Sequence, residues 1–551
     1  MIIICMVTSH EVIVNLTSGL IRGEIIEING QKVQAFKSVP FAQPPIGDLR
    51  FAVPQPHENW YDIKNTTRYS SACMSNTSQT TSPQKNISED CLYTNIWADL
   101  RCLNKKCPVV YYIHGGGFFY DSAIMFNETE IMLKFGSQKL VFVVSAFRLG
   151  IFGALDLGEE LEEAPYNVNL LVYIGSGLAS LQPHTNLKLT NAIATKVGCK
   201  NATTYKQRLK CLQNVHAEKL NNAARETELI DWRAVGPQSD VHTLPGGSFM
   251  DLIGNWKAVP LLISTTVHEM TWSYHTAEYL CSMYIKMFGY RSDAVREACT
   301  QRYKSNIALL SPEAMHAMAY FLAKLNALRT APTYFLVWAQ KDHDKHSDEM
   351  SYFFGLHYIH NKTQDDVKAD HYYPFLCRNF FYGRKPLDDW EPLDYNGRNY
   401  YYFNFSDTTK PHMVKRGVFD TKSIQFWLYH LKEIEQNSTL NFIKKEQIGN
   451  KSYRKLKNTD TIERMKIPKA GIYKRMVNDY DYSKVEQSTT IPLLTVLTVL
   501  IIAAFVLATV AFSLSVLQMC IGWGRKVKPR VEEEEMKVLR RYSDEYPRYV
   551  F

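Results

Sequence analysis

Two short runs, Val109–Ile113 (VVYYI) and Leu140–Val144 (LVFVV), are apolar at consecutive rather than alternate positions. Such runs predict strands covered on both faces, the kind found in parallel sheets whose crossover helices lie on either side. A third run, Leu170–Ile174 (LLVYI), has the same character. The longest apolar segment is of another kind. Ile491–Trp523 holds 33 residues without a charge, and at ~1.5 Å per residue about 20 of them cross a ~30 Å hydrocarbon layer. A transmembrane helix is predicted there. Beyond about Lys432 the globular pattern fades into a polar, basic stretch that leads to this helix.

The predicted span fixes a topology. Arg525, Lys526, Lys528 and Arg530 follow it directly, so the short C-terminal tail is expected in the cytoplasm, with the preceding ~490 residues outside the plasma membrane. Ten Asn-x-Ser/Thr sequons, at Asn15, Asn65, Asn76, Asn86, Asn127, Asn201, Asn361, Asn404, Asn437 and Asn450, all precede the span, as expected for a type I glycoprotein. Nine of the 11 cysteines lie between residues 73 and 377, in a part expected to reach an oxidising compartment. Met1–Met6 (MIIICM) is too short for a signal-peptide core and lacks a basic leader. A truncated signal segment over residues 1–10 is the preferred reading; targeting by the C-terminal helix is the other.

With 46% hydrophobic, 13% aromatic and 21% charged residues, the composition is that of a folded protein. The formal charge of +8 does not describe the folded part. Lys444–Arg475 carries eleven Lys/Arg against three Asp/Glu, which accounts for the whole excess. That stretch has only two aromatics, Tyr453 and Tyr473, and no nucleic-acid-binding motif appears, so a nucleic-acid partner is not expected. The organisation read from the chain is therefore a leading segment (1–10), an ectodomain (11–432), a basic stalk (433–490), the membrane span (491–523) and a cytoplasmic tail (524–551).

Four motifs occur in order: AFKSVPFAQPPIGDLRF at 35–51, SEDCLYTNIW at 88–97, VVYYIHGGGF at 109–118 and LVFVVSAFRLGIFG at 140–153. Together they resemble the type-B carboxylesterase and cholinesterase family, whose non-enzymatic relatives include the neuroligins. The likeness runs from about residue 15 to about 430. It implies an α/β-hydrolase fold, one large domain around a mostly parallel sheet. In that family His-Gly-Gly-Gly-Phe forms an oxyanion hole, which places the donors at Gly116 and Gly117; glycines there let N–H groups approach a developing negative charge with no Cβ in the way. The segment LLISTTVHEMTWSY (261–274) resembles the one bearing the catalytic acid, giving Glu269, and HSDEMSYFFG (346–355) gives His346 as the base. An acid so placed holds the imidazole's tautomer and orientation. His343/His346 and His357/His360 have i, i+3 spacing without a third ligand cluster, so no metal and no cofactor are expected.

The nucleophile has no counterpart. A hydrolase serine sits in a G-x-S-x-G elbow, and that pentapeptide occurs nowhere in the 551 residues. Ser176 (IGSGL) lacks glycines in register and Ser248 (GGSFM) lacks the last one. By comparison with the family, roughly fifty residues around the elbow are absent, since Ala164–Val168 runs almost directly into LLVYIGSGLASLQP and Val197-Gly198-Cys199 follows soon after. Loss of a buried strand and its crossover helices requires the sheet to reseal, for instance by LLVYI pairing with VVYYI. The alternative is that this chain is one form of a longer, active esterase.

The resemblance also implies bridges Cys73–Cys91 and Cys199–Cys211. Proximity suggests Cys102 with Cys107 and Cys281 with Cys299, leaving Cys377 odd. The tail ends Tyr549-Val550-Phe551, a free C-terminus suited to strand addition in a PDZ groove. The reading that joins these features is a single-pass cell-surface glycoprotein with a catalytically inactive esterase-like ectodomain, acting in adhesion or recognition. An extracellular protein ligand and a homodimer follow from the neuroligin likeness alone. The competing reading is a membrane-anchored carboxylic ester hydrolase represented by a form without its elbow.

Overall fold

Asn29 and Gly30, with φ of 51° and 69°, make a tight turn in which both central residues are left-handed, a geometry that matches the twist of antiparallel strands. The turn joins two of the strands that begin the fold: β1 (His10–Leu16), β2 (Gly19–Ile28) and β3 (Gln31–Pro40), each antiparallel to the next. In this computed structural model residues 10–75, 86–103, 105–157, 187–202, 204–228, 258–271, 275–356, 359–406 and 412–439 are described. The expected membrane span, most of the stalk, the tail, the LLVYI run, Ser176, Ser248, Asn76 and Asn450 lie outside them. Among the described residues no helix is long and apolar enough to cross a membrane.

Ten further strands follow: β4 (Lys64–Asn65), β5 (Ala72–Cys73), β6 (Ile87–Ser88), β7 (Tyr93–Asp99), β8 (Val109–Tyr112), β9 (Val141–Ser145), β10 (Leu261–Thr266), β11 (Thr333–Trp338), β12 (Tyr400–Phe403) and β13 (His412–Lys415). The larger sheet runs β1-β2-β3-β7-β9-β8, with β4 beside β2; a second runs β10-β11-β12-β13; β5 and β6 form a small pair. The expected mostly parallel sheet is corrected to a mixed one. The β8/β9, β10/β11 and β11/β12 pairs are parallel, whereas β1/β2, β2/β3, β3/β7, β7/β9 and β12/β13 are antiparallel. For β1/β2 and β2/β3 the reason is local: strands joined by only two residues have no length for a crossover.

β11 is buried at all six positions, as a strand covered on both faces should be. β8 departs from that expectation, since Val109 and Tyr111 are 63% and 55% exposed and only its alternate positions face the core. Among the described residues β8 and β10 each stand at the end of their sheet.

One aromatic core nonetheless serves both sheets. It draws Trp97, Phe142 and Val144 from the first, and Leu336, Trp338 and Phe403 from the second. The short helix Asp348–Phe354 ties them together. Its Phe354 ring meets Tyr112 at 4.6 Å and Phe142 at 5.8 Å, and its Tyr352 ring meets Trp338 at 4.9 Å. A second core lies under the helices Leu187–Val197, Tyr205–Asn214 and Ala217–Glu228, where Ile193, Leu212 and Leu220 are fully buried. Thr204 and Gln207 cap the middle helix reciprocally, each side chain accepting from the other's backbone N–H. The boundary expected at residue 432 is crossed by helix, which continues from Thr421 to residue 439. Glu435 there accepts from the backbone N–H groups of Arg291 (3.1 Å) and Ser292 (3.0 Å).

Candidate functional site

β10 ends at Thr266, and the turn beyond it carries Glu269 into the interior, 2% exposed. The Thr266 hydroxyl (2.8 Å) and backbone N–H (3.2 Å) both donate to Glu269 Oε2. The parallel neighbour β11 ends at Trp338, and the loop after it folds back over the same turn. There His268 N donates to Asp344 O (3.0 Å), and Trp338 Nε1 donates to His343 O (2.6 Å). This delivers His346 so that its Nδ1 pairs with Glu269 Oε1 across 77 residues of sequence. The two residues placed by motif are thus in direct contact.

Electrostatics follow from that contact. Burial acts to raise the Glu269 pKa, but the His346 charge, the bond to it and the two Thr266 bonds outweigh burial and hold it below the usual carboxylate range. For His346 burial acts downward, and the Glu269 carboxylate overcomes it, so the imidazole binds its proton more tightly than an ordinary histidine. The imidazole side chain keeps 39% of its surface exposed. Its Nε2 makes no hydrogen bond among the described residues, whereas in a working triad that atom accepts the serine hydroxyl.

The glycine loop adopts a geometry that needs glycine. Gly116 and Gly117 have φ of 109° and 57°, and a Cβ on Gly116 would lie 2.1 Å from the Tyr120 carbonyl oxygen. The Gly116 carbonyl accepts from Phe119 N and Tyr120 N, both at 3.1 Å, which curls the loop, and Gly150 N braces it by donating to Phe118 O at 2.7 Å. The N–H groups of Gly116 and Gly117 are left unbonded among the described residues, as oxyanion donors must be. His114 behind them is buried and stacked on Phe147 at 4.3 Å; burial pulls its pKa to about 4, so it is neutral.

Two further groups belong to the site. Glu349, the second residue of the helix Asp348–Phe354, is 6% exposed, and its Oε2 has no partner among the described residues. Burial first, and then the Glu269 charge, push its pKa up to about 8. His316 lies beneath the acid, Nε2 on Thr266 O and Nδ1 on Asp420 Oδ2, each at 2.9 Å. Its two partners come from distant segments, so no spacing rule singles it out. Glu349 does carry a local signal, an acid three residues after His346 and just ahead of the aromatic run Tyr352–Phe354. No cluster of three or more metal-ligating side chains occurs among the described residues, and His357 lies outside them.

The family model described as "Carboxylesterase family" matches residues 10–171 and 174–427, well over half of the chain. The chain belongs to the carboxylesterase family. Carboxylesterase 1C of Mus musculus is 38% identical over 176 residues, covering 28% of this chain and 31% of that protein. A probable cholinesterase of Acanthamoeba polyphaga mimivirus is 33% identical over 154 residues, covering 27% of each. The matches therefore span under a third of these relatives' length. In three dimensions the chain resembles juvenile hormone esterase from Manduca sexta at a TM-score of 0.65 and 18% identity, covering 77% of this chain and 100% of that one. That likeness supports the α/β-hydrolase fold.

In this carboxylesterase-family chain the described residues carry four disulfides, Cys73–Cys91, Cys102–Cys107, Cys199–Cys211 and Cys281–Cys299, with Cys377 a buried free thiol. Of the sequon asparagines described, Asn15, Asn65, Asn86, Asn127, Asn201, Asn361 and Asn437 are exposed, and Asn404 is half-buried.

Proposed function

We propose that this carboxylesterase-family chain is a glycosylated, single-pass cell-surface protein that acts in adhesion or recognition and does not hydrolyse esters. One observation carries the reading. His346 is paired with Glu269 as a general base should be, yet no G-x-S-x-G serine exists anywhere in the sequence for it to activate. The split of the family match between residues 171 and 174 coincides with the position where the elbow unit is lacking by motif comparison. An extracellular protein ligand, a homodimer, and a PDZ-type partner for Tyr549–Phe551 belong to the same proposal, as does a cytoplasmic tail behind a span at 491–523.

The test uses the full chain purified from a secretory host. Neither p-nitrophenyl ester turnover nor serine labelling by a fluorophosphonate is expected; turnover that vanishes in His346→Gln, together with a labelled serine, overturns the proposal. The second reading, an ester hydrolase of which this is an elbow-less form, is favoured by one feature: the acid, the base and the glycine loop all retain working geometry. A transcript of the same gene that restores G-x-S-x-G would decide for it.

A further inference from the structure

The sequence contains two Asn-Gly pairs, Asn29-Gly30 and Asn396-Gly397, and the fold treats them in opposite ways. In such a pair the peptide nitrogen of the glycine reaches the asparagine side chain with no Cβ in its path. At the tip of the β2–β3 hairpin both residues are exposed, and both have the left-handed backbone, which asparagine tolerates without preferring it. A Cβ added to Gly30 would meet nothing within 4 Å, and no hydrogen bond engages the Asn29 side chain among the described residues. Glu27, Gln31 and Lys32 beside the tip are exposed as well. Local opening can therefore stop short of Val33, the first fully buried residue after the turn.

The second pair is held fast. Asn396 N and Arg398 N both donate to Asp394 Oδ1, at 2.9 and 2.8 Å, and the Tyr320 hydroxyl donates to Asn396 O at 3.1 Å. Gly397 N, the nitrogen that would have to attack, already donates to Asp394 O at 2.9 Å. Gly397 itself is buried so closely that a Cβ on it would lie 2.2 Å from the Tyr320 hydroxyl oxygen. Freeing this pair means breaking all of these bonds together.

We propose that Asn29 is a site of spontaneous deamidation, with water as the only co-reactant, and that Asn396 is protected from it. From the opened tip the Gly30 peptide nitrogen gives its proton to solvent and attacks Asn29 Cγ. The new N–Cγ bond closes a five-membered succinimide as the Cγ–Nδ2 bond breaks and ammonia leaves. Water then adds to one of the two ring carbonyls. One direction of opening leaves aspartate; the other leaves isoaspartate, whose main chain runs through the former side chain and is longer by one carbon. A two-residue loop sets the register of β2 against β3, so the isoaspartate form is expected to lose the end pairs Ile28–Gln31 and Glu27–Lys32 while Ile26–Val33 and the pairs beyond it hold.

The experiment ages the purified full chain in mildly alkaline buffer and maps its peptides by mass spectrometry, with methylation by a purified isoaspartyl methyltransferase as a second readout. Amide loss at Asn29 is expected to run at least about tenfold faster than at Asn396, a ratio that ~1.4 kcal/mol in local opening supplies. In urea the two rates should converge. Asn29→Gly, which keeps a pair suited to the same turn, is expected to lose most of the methylation. An Asn29 that stays an amide, equal rates at the two sites in native buffer, or undiminished methylation of Asn29→Gly overturns the proposal. A rate gap that persists in urea would assign the contrast to flanking sequence and refute the structural argument. Should the variant fail to fold, the wild-type peptide map alone decides.

Discussion

Glu349→Gln isolates the consequence of burying a second carboxyl beside the acid–base pair. The side chain is 6% exposed, and its pKa is pushed from an ordinary 4.5 up to about 8, first by burial and then by the Glu269 charge. Between those two values the folded protein holds a proton that the unfolded chain has released, so stability must fall as pH rises across this window. At ~1.36 kcal/mol per pH unit, the loss between pH 5 and pH 8 is at most on the order of 3–4 kcal/mol. Glutamine keeps the shape and removes the titration. Urea unfolding followed by tryptophan fluorescence at pH 5, 6, 7 and 8 should therefore give a steeper decline for the wild type than for Glu349→Gln, the gap opening steadily above pH 5. Parallel curves for the two proteins would show that Glu349 ionises normally and that the buried-acid argument fails.

In Glu269→Gln the carboxylate that holds the His346 proton is gone and burial is opposed only by the lesser charges of Glu349 and Asp348, so the imidazole midpoint, followed by NMR titration, should fall below that of the wild type. His316→Ala strips a partner from both Asp420 and the Thr266 carbonyl, and a loss of about 2–4 kcal/mol in denaturant unfolding is expected; a change under 1 kcal/mol would contradict the support assigned to it. Replacing Cys73 and Cys91 by alanine opens an 18-residue loop and should cost about 3 kcal/mol, measured in the same way.

Sequence alone anticipated local contacts better than the architecture. The glycine loop, Glu269 and His346 each sit in a short contiguous motif; Glu269 and His346 are in direct contact, and Gly116 and Gly117 have backbone angles that favour glycine. His316 was invisible because its contacts to Thr266 and Asp420 span 50 and 104 residues. The mixed sheet was missed although its cue was present, since Asn29-Gly30 is a strong hairpin signal. The reading of VVYYI as fully buried failed because burial on both faces is a property of what lies against a strand, and Val109 and Tyr111 have little against them.

The four disulfides close loops of 18, 5, 12 and 18 residues, and none joins a strand of one sheet to a strand of the other. Oxidation is therefore a local event that can be finished before the two halves of the molecule meet. Among the described residues one thiol is left over, Cys377, 4% exposed within the core that both sheets share, and burial raises its pKa and suppresses its thiolate. While the core is open that thiol is free to attack any finished bridge; once the core closes, exchange stops. The packing of Trp338, Phe403 and their neighbours thus acts as a kinetic seal on the covalent pattern, and folding slowed at that step would appear first as scrambled disulfides.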